Sequence, residues 1–159
     1  MTAFRPKDPN YEQRLRQLFA LQPFTRHLGV EIKEMRPGFC ALWLPTQENL
    51  LQIHGYFHGG VVGTLADTAG GFAATTLEAE GDTVITIEYK VNFLAPGIGE
   101  ALLAEAHVVK AGRSIVVTRA DVFGVKEGRR TLCAIGVQTW LPLRGVETLA
   151  TRQLPGPEP

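Results

Sequence analysis

The sequence predicts an α+β domain, a sheet of about six antiparallel strands wrapped around one long central helix. Three observations lead there. The stretch from Gly59 to Leu77 is almost uncharged, and from Gly60 it carries apolar residues at helical spacing. From Ile85 onward the chain divides into strand-like runs separated by turn signals at hairpin spacing. Only one other helical pattern is present, and it is short. With 159 residues the chain reads as a single domain, 1–159, large enough for a substantial core.

Taken in order, Asn10 to Gln22 reads as a short amphipathic helix. Leu15, Leu18, Phe19 and Leu21 fall on roughly one side, Asn10 is placed as the N-cap, and Pro23 stops the segment. His27 to Met35 and Phe39 to Leu44 read as strands joined by the turn Arg36-Pro37-Gly38. Thr46 to Phe57 reads as loop. The central helix follows, with Val61, Leu65, Thr68, Phe72 and Leu77 as its apolar stripe. Gly63, Gly70 and Gly71 each cost about 1 kcal/mol of helix propensity against Ala. In return they allow the helix to lie tightly against a sheet or another helix. After the turn at Gly81-Asp82, Ile85, Ile87, Tyr89, Val91 and Phe93 alternate strictly with polar residues, a period of two. Pro96-Gly97 ends that strand. Glu100 to Lys110, Ser114 to Val125 and Arg129 to Leu141 complete the set, and Gly145 to Pro159 reads as a loose tail.

Composition removes several classes of function. Lys plus Arg number 16 and Asp plus Glu number 16, so no basic field is available for nucleic acid. The two cysteines, Cys40 and Cys133, form neither a CxxC nor a bridge framework and fit reduced thiols in a cytoplasmic protein. Met1 to Arg16 shows no apolar signal-peptide core, and Asp67 interrupts the apolar helix, so a buried helix is expected rather than a membrane span. There is no GxSxG, P-loop or dinucleotide fingerprint, and Ser114 is the sole serine. His27 and His107 lack metal-ligand spacing, so neither a metal nor a resident cofactor is expected.

Chemistry concentrates in residues 52–67, QIHGYFHGGVVGTLAD. An acid within an apolar helix costs desolvation energy unless it is paired or used. The amides of a glycine-opened helix start are the donors a developing oxyanion needs. Together they point to acyl-group chemistry. The plainer readings are that Asp67 is a satisfied structural acid, that Gly59-Gly60 merely opens a tight turn, that His58 anchors the loop by hydrogen bonding, and that Thr86 is an ordinary strand threonine.

His58-Gly59-Gly60, then Leu65 and Asp67, with Val91-Asn92-Phe93-Leu94 and Pro96 in the following strand, resembles the hotdog-fold acyl-CoA thioesterases, and most closely their PaaI-like, phenylacetate-pathway branch. The likeness covers Phe24 to Leu141. It implies that the Gly59 amide polarises the thioester carbonyl, that Asp67 is nucleophile or general base, that Gln52 places water or substrate, and that Thr86 assists. It also implies coenzyme A as part of the substrate. Gly60, Lys90 and Arg113 are the candidates to meet it, with Arg and Lys suited to its phosphates. Phe57, Leu65, Phe72 and Phe93 are the expected acyl-pocket lining.

Gly59 and Asp67 are eight residues apart, about 12 Å along one helix. A carbonyl and its attacking group must come within roughly 3 Å. One chain therefore does not bring both to the same carbonyl, and a two-fold homodimer with antiparallel helices becomes the minimal active unit; the resemblance extends this to a dimer of dimers. Two rival functions share the fold: a non-catalytic acyl-thioester-binding module, and an enoyl-thioester hydratase or dehydratase. The absence of a His within nine residues after Asp67 disfavours the hydratase.

Overall fold

Between Tyr11 and Leu28 the chain forms two helices where the sequence suggested one helix followed by a strand. A computed structural model describes residues 4–147, and in it α1 spans Tyr11–Leu21 and α2 spans Pro23–Leu28. Pro23 ends α1 and begins α2. A proline at the first helical position has no amide to satisfy, and its fixed φ suits the helix. Gly29 ends α2 at φ 76°. His27 therefore lies in a helix, and the first strand starts only at Glu31. Asn10 is the cap residue of α1, but its side chain makes no capping hydrogen bond.

The strands are β1 (Glu31–Arg36), β2 (Phe39–Pro45), β3 (Thr83–Phe93), β4 (Ala101–Ala111), β5 (Val116–Lys126) and β6 (Arg129–Leu143). They form one antiparallel sheet in the order β1-β2-β4-β5-β6-β3. The central helix α3 (Gly59–Thr75) crosses from β2 to β3 and packs on the sheet's inner face. The predicted fold class is the one observed. The loop before α3 contains a single 3-10 turn at Glu48–Leu50 and a bridge between Leu51 and Phe57.

Of the stripe expected from sequence, Leu65 is fully buried, but most residues on the face of α3 that meets the sheet are small. Val62, Leu65, Ala66, Ala69, Gly70, Ala73 and Ala74 are among the buried positions, a regular helical succession made mostly of small side chains. Thr68 and Phe72 point away from it, toward α1. Small residues win the sheet face because a polar network lies directly beneath. Trp140 Nε1 donates to Thr118 Oγ1 (2.8 Å), Thr118 donates to Gln138 Oε1 (2.7 Å), and Gln138 Nε2 donates to the Ala66 carbonyl of α3 (3.3 Å). Among the described residues no buried side-chain polar atom lacks a partner.

The alternation in β3 is also broken. A bulge at Ile87 separates the pairs Thr86–Trp140 and Glu88–Thr139. Val84 and Thr86 face α3 before it; Tyr89, Val91 and Phe93, paired with inward-facing Gln138, Gly136 and Ala134, do so after it. Strict period-two reading put Thr86 on the face opposite Tyr89. The extra residue puts them on the same one.

Gly145 and Val146, where the tail was predicted to begin, are held to the Gly81-Asp82 turn. The Gly145 amide donates to Asp82 Oδ1 (3.1 Å) and the Val146 amide to the Gly81 carbonyl (3.0 Å). Residues 148–159 of that expected tail lie outside the described residues.

A Cβ added at Gly70 would stand 2.7 Å from Thr118 Oγ1 and 3.0 Å from both Gln138 Oε1 and Trp140 Cζ2. Gly70→Ala is therefore expected to lower stability by about 1–3 kcal/mol, despite a helix-propensity gain of about 1 kcal/mol. Urea unfolding reads the sign; a stabilised variant would show that this contact is slack.

Candidate active site

Asp67 lies eight residues into α3, half-buried, and Thr86 of β3 reaches it. The Thr86 hydroxyl donates to Asp67 Oδ1 at 3.2 Å, with Oδ2 at 3.5 Å. Burial raises the Asp67 carboxyl above its ordinary value, and the Thr86 hydrogen bond pulls it part of the way back. The bulge at Ile87 allows Thr86 and Tyr89 to share the inner face. Asp67 and Thr86 line a cleft of about 360 Å³ between α3 and α1, with Leu15, Leu18, Leu21, Phe72 and Trp140 among its walls.

Gly59 is the first residue of α3, with His58 as its cap. The His58 Nδ1 accepts from the Gly60 amide at 3.0 Å. The Val61 and Val62 amides donate to the His58 carbonyl. Gly60 was expected to meet coenzyme A, but its amide is engaged by the cap, where it donates to Nδ1 of the exposed His58 imidazole. Among the described residues the Gly59 amide has no acceptor. It is the one open donor at the positive end of α3.

A second depression, of about 430 Å³, contains Gly59 and Gln52 together with Phe57, Phe93 and Cys133. Gln52 accepts the His54 amide through Oε1 at 2.7 Å, and this fixes its side chain across the loop. Asp67 and Thr86 do not line this depression, nor Gly59 and Gln52 the first. On one chain the candidate catalytic residues fall into two separate clefts. The expected acyl lining divides too. Phe72 stands with Asp67, Phe57 and Phe93 stand with Gly59, and Leu65 is sealed in the core.

Lys90 on β3 and Arg113 in the β4–β5 turn are exposed, and neither lines either cleft. Cys40 and Cys133 are free and buried. Among the described residues no three metal-ligating side chains are grouped, and no helix is long and apolar enough to cross a membrane. Sequence reading missed the contribution of α1 to the Asp67 cleft. The amphipathic stripe Leu15–Leu18–Leu21 was visible, but nothing in it said which surface it would cover.

A helix wrapped by an antiparallel sheet, with an acid at mid-helix and an open amide at its start, defines the class. The thioesterase superfamily profile matches residues 54–131. A putative esterase of Saccharolobus solfataricus, SSO1253, is 33% identical over 138 residues, covering 87% of this chain and 88% of its own length. The crystal structure of a thioesterase family protein from Silicibacter pomeroyi superposes with a TM-score of 0.83 at 39% identity, covering 85% of this chain and 99% of that one. The medium/long-chain acyl-CoA thioesterase YigI of Escherichia coli is 26% identical over 115 residues, covering 63% of this chain and 74% of its own. The chain belongs to the thioesterase superfamily, a class of thioester hydrolases with the hotdog fold.

Two outcomes follow from the Asp67 environment. Because folding raises its pKa, the associated stability is full below the ordinary carboxylate value of 3.8 and is lost as pH rises through the folded value. At neutral pH the ionised side chain is a net burden, so Asp67→Asn should raise the urea midpoint at pH 7. An unchanged or lowered midpoint would contradict this. Thr86→Val removes the hydrogen bond that favours the ionised form and should move the acidic limb of the pH–kcat/KM profile upward, whereas Thr86→Ser should keep it in place. A limb unmoved by Val would remove Thr86 from the mechanism.

Proposed function

We propose that the protein hydrolyses acyl-CoA thioesters in a site shared by two copies of the chain, each supplying one of the two half-sites. The observation that carries this is the separation of the open Gly59 amide, with Gln52, from Asp67 and Thr86. The acyl-CoA thioesterase among its relatives supports the substrate class.

In this reading the thioester carbonyl sits against the Gly59 amide of one protomer, and Asp67 of the other faces its carbon. Asp67 either takes a proton from water as that water attacks, or attacks directly to give an anhydride that water then opens. In both routes negative charge gathers on the carbonyl oxygen, the Gly59 amide and helix end stabilise it, and the coenzyme A thiolate departs. A carboxylate in a dry cleft is a stronger base than one in water, and this suits either role. Gln52 orients the water or the thioester.

An unusual sheet edge supports the pairing of subunits. Ile85, Ile87, Tyr89 and Phe93 of β3 are 52%, 55%, 53% and 59% exposed, on the last strand of the sheet. A long apolar edge with open backbone donors and acceptors is what a second copy would cover. Such a dimer, or a dimer of dimers, also brings a second α3 near the first.

Release of free thiol from a panel of acyl-CoAs tests the activity, and Asp67→Ala should lose several orders of magnitude in rate while still folding. Tight binding without thiol release would support a binding module instead, and loss of enoyl absorbance a hydratase. Mixing inactive Asp67→Ala chains with inactive Gly59→Val chains should restore activity at one site per mixed dimer. A mixture as dead as its parts, or a fully active monomer by light scattering, would rule out the shared site.

A further inference from the structure

The cleft beside Asp67 is more than an opening to the acid. It runs along α3 and is roofed by α1, a helix to which the thioester chemistry assigns no part. We propose that α1 is a chain-length ruler, with Leu15 closing the groove and Leu18 narrowing it against Phe72, so that an extended acyl chain of medium length fills it. The identity of the ligand as an acyl group rests on the function proposed above; the ruler itself is argued from the shape and chemistry of the cleft.

Residues Asp67, Thr68, Gly71, Phe72 and Thr75 present one side of α3 to the cleft. From Asp67 to Thr75 that side extends about 12 Å. An extended chain of single bonds advances about 1.2 Å per bond, as the backbone itself does, so the groove matches about ten carbons. The cleft is also roomy, at about 360 Å³. An elongated slot of this capacity favours a straight chain over a compact aromatic group.

The two ends of the cleft differ. Leu15 is 1% exposed, whereas Leu21 is 45% exposed. The groove is closed where α1 begins and open where α1 ends. The roof runs antiparallel to α3 and is pinned at its closed end. Arg14 Nη2 donates to the Glu78 carbonyl (3.2 Å), Arg14 Nε to Asp8 Oδ2 (2.7 Å), and Lys7 Nζ to Glu78 Oε2 (2.7 Å). Further along, Phe19 meets Phe72 edge-on with ring centres 5.2 Å apart. Leu18, one turn of α1 before Leu21 and next to Phe19, therefore lines the groove at about the level of Phe72, between the closed end at Leu15 and the open end at Leu21. A Cβ at Gly71 would stand 3.0 Å from the Trp140 ring, so glycine there leaves the indole its place in the wall.

The test uses full-length protein in a Trp43→Phe background, which leaves Trp140 in the cleft wall as the only indole. Its fluorescence is titrated with S-alkyl thioethers of coenzyme A from butyl to hexadecyl, which bind without turnover. Affinity should climb by up to roughly fourfold per methylene and level off near ten to twelve carbons. Leu18→Phe should move the plateau to shorter chains and lower the dodecyl-to-butyl affinity ratio by about tenfold or more; Leu18→Ala should move it to longer chains. Should Leu18→Phe not fold, the direction of the Leu18→Ala shift decides. A plateau unmoved by a folded variant, or the same loss at every length, overturns the ruler. Length-dependent binding in a wild-type protein that releases no thiol from acyl-CoA would overturn the hydrolase reading and support the ruler.

Discussion

The structure depends on how closely α3 lies on its sheet. Glycine and alanine cover the buried side of the helix, and the Trp140–Thr118–Gln138 chain of hydrogen bonds ends on the Ala66 carbonyl, one residue before Asp67. A helix whose own backbone carbonyl accepts from a buried polar network is fixed in rotation and in depth. Asp67 is thereby aimed at the cleft and held within reach of Thr86. A helix with the large apolar stripe that the sequence suggested would stand further from the sheet, and the acid would turn with it.

That close seating also explains why a weak helix sequence is retained. Gly63, Gly70 and Gly71 all disfavour helix, yet added side chains at 70 and 71 would strike the network or the Trp140 ring. The cost in propensity is offset by dispersion contacts and by hydrogen bonds made without strain. At the other end of α3, His58 closes the helix start and takes up the Gly60 amide, which leaves the Gly59 amide as the open donor. Among the described residues no buried side-chain polar atom lacks a partner.

Asp67 and the Gly59 amide sit on one helix but open to different clefts, and β3, which borders both, exposes apolar residues on an uncovered edge. One constraint relates these facts. An α-helix rises too far between positions 59 and 67 for a single carbonyl to meet both. The bulge at Ile87 adds the final adjustment, since it brings Thr86 onto the same side as Tyr89 and Phe93.

Much of this was legible in the chain. Hairpin spacing and the uncharged helix are local signals, so the α+β class, the six strands and the limits of α3 could be read within a few residues. His-Gly-Gly and Asp67 stood out as the candidate residues, and their eight-residue separation matches their placement in two different clefts. Tertiary contact decided the remainder. Pro23 reads equally well as a stop or a start, and only the helical turn that follows it, ended by Gly29, shows it doing both. A bulge leaves no mark on a regular alternation, because its extra residue is defined by the partner strand. The buried side of α3 went to its smallest residues because Trp140 and Gln138, some seventy residues later, occupy the space beneath. Periodicity in a single segment states that a face exists; what that face must fit is a property of another part of the chain.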